Sequence, residues 1–372
     1  MIRSLLSADL PRSRLVTLLL LGVVFVLALA PFLLPGTKAL NVAAKILVFV
    51  LLVASYDLLL GYTGIVSFAH TMFFGIGAYG VAIASSRLAP SWTALLVGSV
   101  GALLVSALLA LIIGLFSLRV RAIFFAMITL AVATAFQTLA SQLSELTGGE
   151  DGITFKLPEM LQPAFTLREE PLLGAALDGR FLTYYLLFFA VSALFLMLLR
   201  VVNSPFGRVL QAIRENDFRA EALGYRTVIY RTLSNVIAAL FATLAGALLA
   251  IWLRYNGPDT SLSFEIMLDI LLIVVIGGMG TLYGAIIGSA LFVIAQSYLQ
   301  DLLNAAGSLV QGVPVLSALL SADRWLLWLG LLFVLSVYYF PTGIVGRLRL
   351  ASEKAGREQA ARLKAGHDRA AR

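Results

Sequence analysis

Largely apolar runs of about 20 residues, parted by polar joints, recur along this chain. They occupy Leu15–Leu34, Ala39–Leu60, Ile65–Ser86, Trp92–Phe116, Ala122–Leu143, Phe181–Val202, Thr232–Leu253, Phe264–Leu282, Gly284–Leu303 and Arg324–Phe340. A helix of that length crosses the hydrocarbon core of a bilayer, so the pattern predicts an all-α, polytopic membrane helical bundle of about ten transmembrane helices. Composition agrees: 60% of the 372 residues are hydrophobic and 13% charged, where soluble chains run near half and a quarter. Mean hydropathy is +0.96. Once the spans are set aside no long polar block remains, which excludes a soluble domain of any size. There is no cysteine, and hence no disulfide framework, thiolate metal site or catalytic thiol.

A net charge of +7 resembles a nucleic-acid signal until the charges are sorted by side. With the amino terminus in the cytoplasm, ten spans return the carboxyl terminus there too. Of the 27 Lys and Arg, 19 then fall inside, including Arg3, Arg12, Arg14, Arg119, Arg121, Arg200, the five of the Arg208–Arg231 loop and those of the tail. The inner face carries +11 and the outer −4. The opposite orientation would invert the positive-inside rule. Basic charge therefore reports topology and contact with anionic membrane lipids, and no nucleic-acid partner is expected.

The first run has one other reading. Arginines precede it and Ala28-Leu29-Ala30 resembles a signal-peptide cleavage site, but Pro31 follows directly and the run is long for such a segment. A retained first helix is the expectation. Residues 1–346 then form one transmembrane domain and residues 347–372 a basic cytoplasmic tail, a frayed surface helix or disordered. An outer loop spans residues 144–180, is rich in acids, Gly and Pro, and is expected to pack as a cap.

The inner loop, residues 203–231, is the most informative polar stretch. Ser204-Pro205 signals a helix start, with the serine as cap and the proline in the first turn. Phe206, Val209, Leu210 and Ile213 then fall at i, i+3, i+4 and i+7, a short apolar stripe. The pattern breaks at Asn216-Asp217 and resumes through Phe218, Ala222 and Leu223 to a glycine stop at Gly224. Two short amphipathic helices under a membrane suit a groove on a partner protein. They suit a resting place on the lipid surface equally well.

Glycine marks two membrane segments. Gly61-Tyr62-Thr63-Gly64 opens a stretch that continues through Ser67, His70, Gly75 and Gly77 to Tyr79. In a bilayer such glycines allow close helix contact, or a broken helix whose backbone lines a cavity. Ser67 and His70 are expected at i, i+3 on one helical face, where an ionisable group is a pathway candidate and interhelical hydrogen bonding the common alternative. The second segment is Gly277-Gly278-Met279-Gly280-Thr281-Leu282-Tyr283-Gly284, a pathway element or simply a tight turn.

The run Gly207-Arg208-Val209-Leu210-Gln211-Ala212-Ile213-Arg214-Glu215-Asn216-Asp217, with Ala220-Glu221-Ala222-Leu223-Gly224 and Ala245-Gly246-Ala247-Leu248, resembles the inner-membrane permeases of branched-chain amino acid ABC importers. So do both glycine segments and Thr147-Gly148-Gly149-Glu150-Asp151-Gly152 in the outer loop. The resemblance covers most of Gly61 to Gly288. It implies that the inner loop is the coupling segment seated in an ATPase subunit, through Phe206, Gly207, Arg208, Ala212, Arg214, Glu215, Asn216, Glu221, Ala222 and Gly224. It points to Gly61, Gly64, Ser67, His70, Gly75, Gly77, Tyr79, Gly277, Gly278 and Gly280 as the translocation path. It offers Thr147, Gly148, Gly149 and Asp151 as contacts for an extracytoplasmic solute-binding protein, although these residues also suit a turn that merely shapes the loop.

No Gly-x-x-x-x-Gly-Lys-Ser/Thr sequence occurs, so this chain is not expected to cradle nucleotide phosphates in that way. The resemblance implies ATP with Mg²⁺ on a partner ATPase as the energy source, and a transport subunit expected to carry no cofactor and no enzymatic activity. A second homologous permease would complete the pore, in a bacterial-type inner membrane. Related systems carry leucine, isoleucine and valine, or urea, short amides and aromatic acids. An ion-driven secondary transporter would need acids deep in the spans, whereas Asp57, Glu265, Asp269 and Asp301 fall near predicted span ends. An integral-membrane enzyme would need a cluster of His, Asp or Glu, and there are two histidines, His70 and His367.

Overall fold

The computed structural model describes residues 14–33, 36–117, 122–172, 175–309, 321–339 and 343–346. Arg119, Arg121, the Phe340 end of the last predicted span and the tail from Arg347 lie outside the described residues. In chain order the helices are α1 (Arg14–Ala28), α2 (Ala30–Leu33), α3 (Thr37–Thr63), α4 (His70–Arg87), α5 (Trp92–Ser117), α6 (Ala122–Gln142), α7 (Ser144–Thr147), α8 (Gly179–Asn203), α9 (Pro205–Glu215), α10 (Asp217–Ala222), α11 (Thr227–Leu253), α12 (Pro258–Ser261), α13 (Phe264–Gly277), α14 (Leu282–Leu309) and α15 (Trp325–Tyr339). The strands are β1 (Ile153–Thr154), β2 (Thr166–Leu172), β3 (Ala175–Asp178) and β4 (Tyr255–Asn256).

Each predicted span corresponds to a helix, and among the described residues seven are long and apolar enough to cross a membrane: Thr37–Thr63, Trp92–Phe116, Ile123–Gln142, Gly179–Asn203, Thr227–Leu253, Pro258–Gly277 and Leu282–Gly307. The apolar stretches Val16–Ala28 and Trp325–Ser336 are shorter. α4 is 18 residues long, and its glycines, His70, Thr71 and serines dilute its hydropathy. Large apolar side chains such as Leu18, Leu96, Leu104, Ile123 and Phe189 are exposed around the outside of the bundle. Water would penalise that surface and hydrocarbon would not. The molecule is a multi-pass helical membrane protein.

Burial separates centre from periphery. The most apolar window of α3 is 89% buried within the chain and that of α6 only 22%, so α3 forms the axis and α6 faces outward. α11 packs against α3, and α4 and α11 cross each other. Their approach depends on Gly77 and Gly246: a Cβ on the first would lie 1.8 Å from the Thr243 carbonyl oxygen, and one on the second 1.8 Å from that of Phe74. Several buried polar side chains are paired between helices, which satisfies them where no water can. Thr243 donates to Ser106 at 2.7 Å, Asn235 donates to the Ala110 carbonyl at 2.9 Å, and Thr63 and Ser234 hydroxyls meet at 3.1 Å. Tyr184 and Tyr185 of α8 donate to the carbonyls of Leu27 and Ala28, fixing the end of α1.

The predicted all-α fold needs one amendment. The outer loop holds β2 and β3 as an antiparallel hairpin, while β1 pairs with β4, the link after α11. Backbone that leaves the helices there is satisfied by short ribbons. The third predicted span is also shorter than expected: residues 64–69 are not helical, and α4 starts at His70. The eighth ends at Gly277 rather than Leu282, and the ninth begins at Leu282.

Candidate functional site

The inner loop folds as two helices with different tasks. Pro205 opens α9, but the Ser204 hydroxyl donates back to the Val201 carbonyl at 2.6 Å and leaves the new helix uncapped, contrary to the expected serine cap. Leu210 and Ile213 are buried, and Gly207 sits so close to the end of α8 that a Cβ would meet the Val202 carbonyl oxygen at 2.0 Å. Phe206 stacks on Tyr230 of α11, ring centroids 5.7 Å apart. α9 thus spends its apolar stripe on the bundle.

α10 does the reverse. Asn216 accepts from the Arg219 amide at 2.9 Å and restarts the chain as a helix. Asp217 pairs with Arg231 at 3.1 Å, and Glu221 accepts from the Thr227 hydroxyl at 2.7 Å, so α10 is tied to α11 at both ends. Gly224, at φ +92°, turns the chain out of it. Ala220 faces in, whereas Phe218 is 82% and Leu223 73% exposed, with Ala222, Arg208, Ala212 and Glu215 also exposed. The resumed stripe is therefore an uncovered apolar face.

Three motifs far apart in sequence meet beside this loop. The Arg214 guanidinium donates to the Gly61 carbonyl. Its aliphatic stem lies against Gly64, which closes α3 at φ +74°. Asp57, buried one turn before Gly61, accepts from the Gly280 amide at 2.9 Å. A Cβ on Gly61 would lie 2.3 Å from that same amide nitrogen. Gly278 and Gly280 have φ of +114° and +81°, and Gly277 is close enough that its Cβ would fall 2.2 Å from the Gly284 carbonyl oxygen. The second glycine segment is a tight turn from α13 to α14 that also touches the end of α3.

The rest of the first segment is spread among helix contacts. Ser67 lies in the non-helical link, so it does not share a helical face with His70 as expected. His70 Nε2 instead meets the Ser55 hydroxyl of α3 at 2.8 Å, with the Tyr56 ring 5.2 Å away. The Ser55 hydroxyl donates to the Leu52 carbonyl, so the imidazole Nε2 is the donor of the pair. A Cβ on Gly75 would strike Leu262 at 2.1 Å, and Tyr79 packs with Ala140 and Leu262. In the outer loop Thr147 is buried and donates to the Ala140 and Leu143 carbonyls, Gly148 and Gly149 turn the chain at φ +75° and +65°, and Asp151 is exposed.

A second feature was set aside in the sequence. Near the opposite end of α3 lies a cavity of about 890 Å³, reached by Lys45, Phe49, Phe74, Trp252, Asp269 and Gln296. The available signal was depth: Lys45 and Asp269 fall a full turn inside the Ala39–Leu60 and Phe264–Leu282 runs. Counting from span ends places Asp269 with the rims.

Residues 38–322 match a protein family described as the branched-chain amino acid transport system / permease component. The chain is 27% identical over 361 residues to the high-affinity branched-chain amino acid transport system permease protein LivM of Salmonella typhimurium, covering 92% of this chain and 79% of that one. It is 25% identical over 295 residues to a probable LivM permease of Methanocaldococcus jannaschii, 76% of this chain and 80% of that one. To the LivH permease of Escherichia coli it is 23% identical over 304 residues, 80% and 91% of the two chains. No solved structure matches.

Proposed function

The chain belongs to the family of branched-chain amino acid transport permease components, and from that premise we propose that it is the transmembrane subunit of an ATP-driven importer, moving branched-chain amino acids. Its work is conduction and conformational change; ATP and Mg²⁺ belong to a separate ATPase subunit. The observation that carries this reading is the split inner loop. α9 is buried in the bundle, α10 leaves Phe218 and Leu223 uncovered, and Arg214 between them reaches both glycine segments. A partner seated on α10 has a direct mechanical route to the α13–α14 turn, the kind of rigid-body coupling that alternates access.

The finer parts of the reading follow. Residues 203–231 are the cytoplasmic coupling loop of a bacterial-type inner-membrane protein, with both termini cytoplasmic and α1, α4 and α15 crossing the bilayer along with the seven longer spans. Support comes from grouping: Asp57, Gly61, Arg214 and Gly280, all assigned inward by charge counting, lie together. Lys45 and Asp269, assigned outward, share the other cavity. The outer cap, joined to the α11–α12 link through β1 and β4, receives an extracytoplasmic binding protein at the exposed Asp151 turn. A homologous second permease completes the path, consistent with likeness to both LivM and LivH proteins. The test is reconstitution in proteoliposomes with the ATPase, the second permease and the binding protein. ATP-dependent uptake of leucine is expected. Uptake driven by an ion gradient without ATP would contradict the reading.

A further inference from the structure

The polar cavity at the far end of α3 has the chemistry of a zwitterion site. Lys45 donates to Gln296 Oε1 at 2.8 Å, and Gln296 Nε2 donates to Asp269 Oδ2 at 3.2 Å. A carboxamide thus stands between a cation and an anion, offering its acceptor to the first and its donor to the second. A free α-amino acid presents the same two functions in full charge: a carboxylate for the lysine and an ammonium for the aspartate. Charge-assisted pairs of that kind exceed the neutral amide's bonds in strength. Isolated ionisable groups inside a membrane protein are costly and mark pathways. Here the two ionisable groups and the carboxamide that bridges them stand on three different helices, α3, α13 and α14, beside open volume.

The apolar lining completes the match. Phe49, Phe74 and Trp252 border the cavity, and the Phe49 ring lies 5.4 Å from the Lys45 ammonium. At about 890 Å³ the space has the size of small-molecule sites, and its lining mixes these aromatic side chains with polar and charged ones, Lys38, Asp259 and Glu265 among them. We propose that this cavity binds a free aliphatic α-amino acid, Lys45 holding its carboxylate, Asp269 its ammonium, and the aromatic wall its side chain. The proposal rests on the transport reading above and adds a place within this chain where substrate is recognised after delivery. Because Lys45 and Gly61 share α3, the site is about 24 Å along one helix from the contact with Arg214.

The chain has no cysteine, so Ser297→Cys, on the cavity wall, supplies the only thiol of this subunit. Its modification by a charged methanethiosulfonate is measured in the purified complex without binding protein. L-leucine is expected to slow labelling about tenfold, while 4-methylpentanoate and 3-methylbutylamine, each lacking one charge, leave it unchanged. Lys45→Met and Asp269→Asn should abolish protection, and Lys45→Arg should keep it. Equal protection by the singly charged analogues, or protection that survives both neutral variants, would overturn the site. So would unprotected labelling in a complex that takes up leucine with ATP. Absence of ATP-driven leucine uptake by the unsubstituted complex would instead overturn the transport reading, and the site with it.

Discussion

Asp57 and Gly280, 223 residues apart, are joined by a hydrogen bond of 2.9 Å from the glycine amide to the carboxylate. One turn further along the same helix the Gly61 carbonyl accepts from Arg214. A carboxylate that gathers the α13–α14 turn and a guanidinium that gathers the loop therefore grip adjacent turns of α3. The loop and the turn move together only while both grips hold.

Arg214→Ala should therefore uncouple rather than inactivate. ATP hydrolysis by the assembled complex is expected to persist while leucine carried per ATP falls about tenfold, a loss of about 1.4 kcal/mol in coupling. Parallel measurement of hydrolysis and uptake in the same proteoliposomes gives the ratio. An unchanged ratio would remove Arg214 from the coupling route.

The two loop helices predict opposite phenotypes. Phe218→Asp alters an exposed side chain, so stability should stay within about 0.5 kcal/mol while the ATPase no longer co-purifies. Leu210→Ala removes a fully buried side chain and is expected to cost about 2–5 kcal/mol. Thermal unfolding in detergent and affinity co-purification separate them, and retention of the ATPase by Phe218→Asp would dismiss α10 as the docking face.

At the α4–α11 crossing, Gly246→Ala places a methyl 1.8 Å from the Phe74 carbonyl oxygen. The helices must separate, at about 1–3 kcal/mol. Gly22→Ala and Gly101→Ala meet nothing within 4 Å and serve as controls, expected to unfold at the parent temperature. Equal melting of all three variants would mean that this crossing is not tightly packed.

Ser55→Ala tests what holds His70. Losing the 2.8 Å contact with the imidazole should cost about 0.6–2 kcal/mol, seen as a lower unfolding temperature, with the KM for leucine unchanged. A raised KM at unaltered stability would shift His70 from helix packing to substrate contact.

How far the sequence foretold this molecule depended on the physics of each feature. All ten apolar runs contain helix, and seven of those helices are long and apolar enough to cross a membrane, because a bilayer demands length and apolarity, both local properties. The loop helices and the Asn216 break were legible for the same reason, since capping and periodicity act within a few residues. The Asp57–Gly280 bond, the Arg214 contact and the Lys45–Gln296–Asp269 bridge were not, because each joins helices distant in sequence and no periodicity encodes a partner. Ser67 was misplaced because the apolar run from Ile65 reads as helical from its first residue, whereas the helix begins only at His70. The β1–β4 ribbon was missed for want of length, with two residues in each strand.

α11 is fastened at both extremities. Arg231 holds Asp217 of α10 near its start, and β4, two residues past its end, is stitched to the 144–180 loop through β1. Twenty-seven residues of helix, about 40 Å long, leave little slack between those fastenings. The two surfaces they serve are consequently one thermodynamic system: a ligand that prefers one tilt of this rod, from either side, changes the affinity felt on the other side by the same factor that it experiences in return.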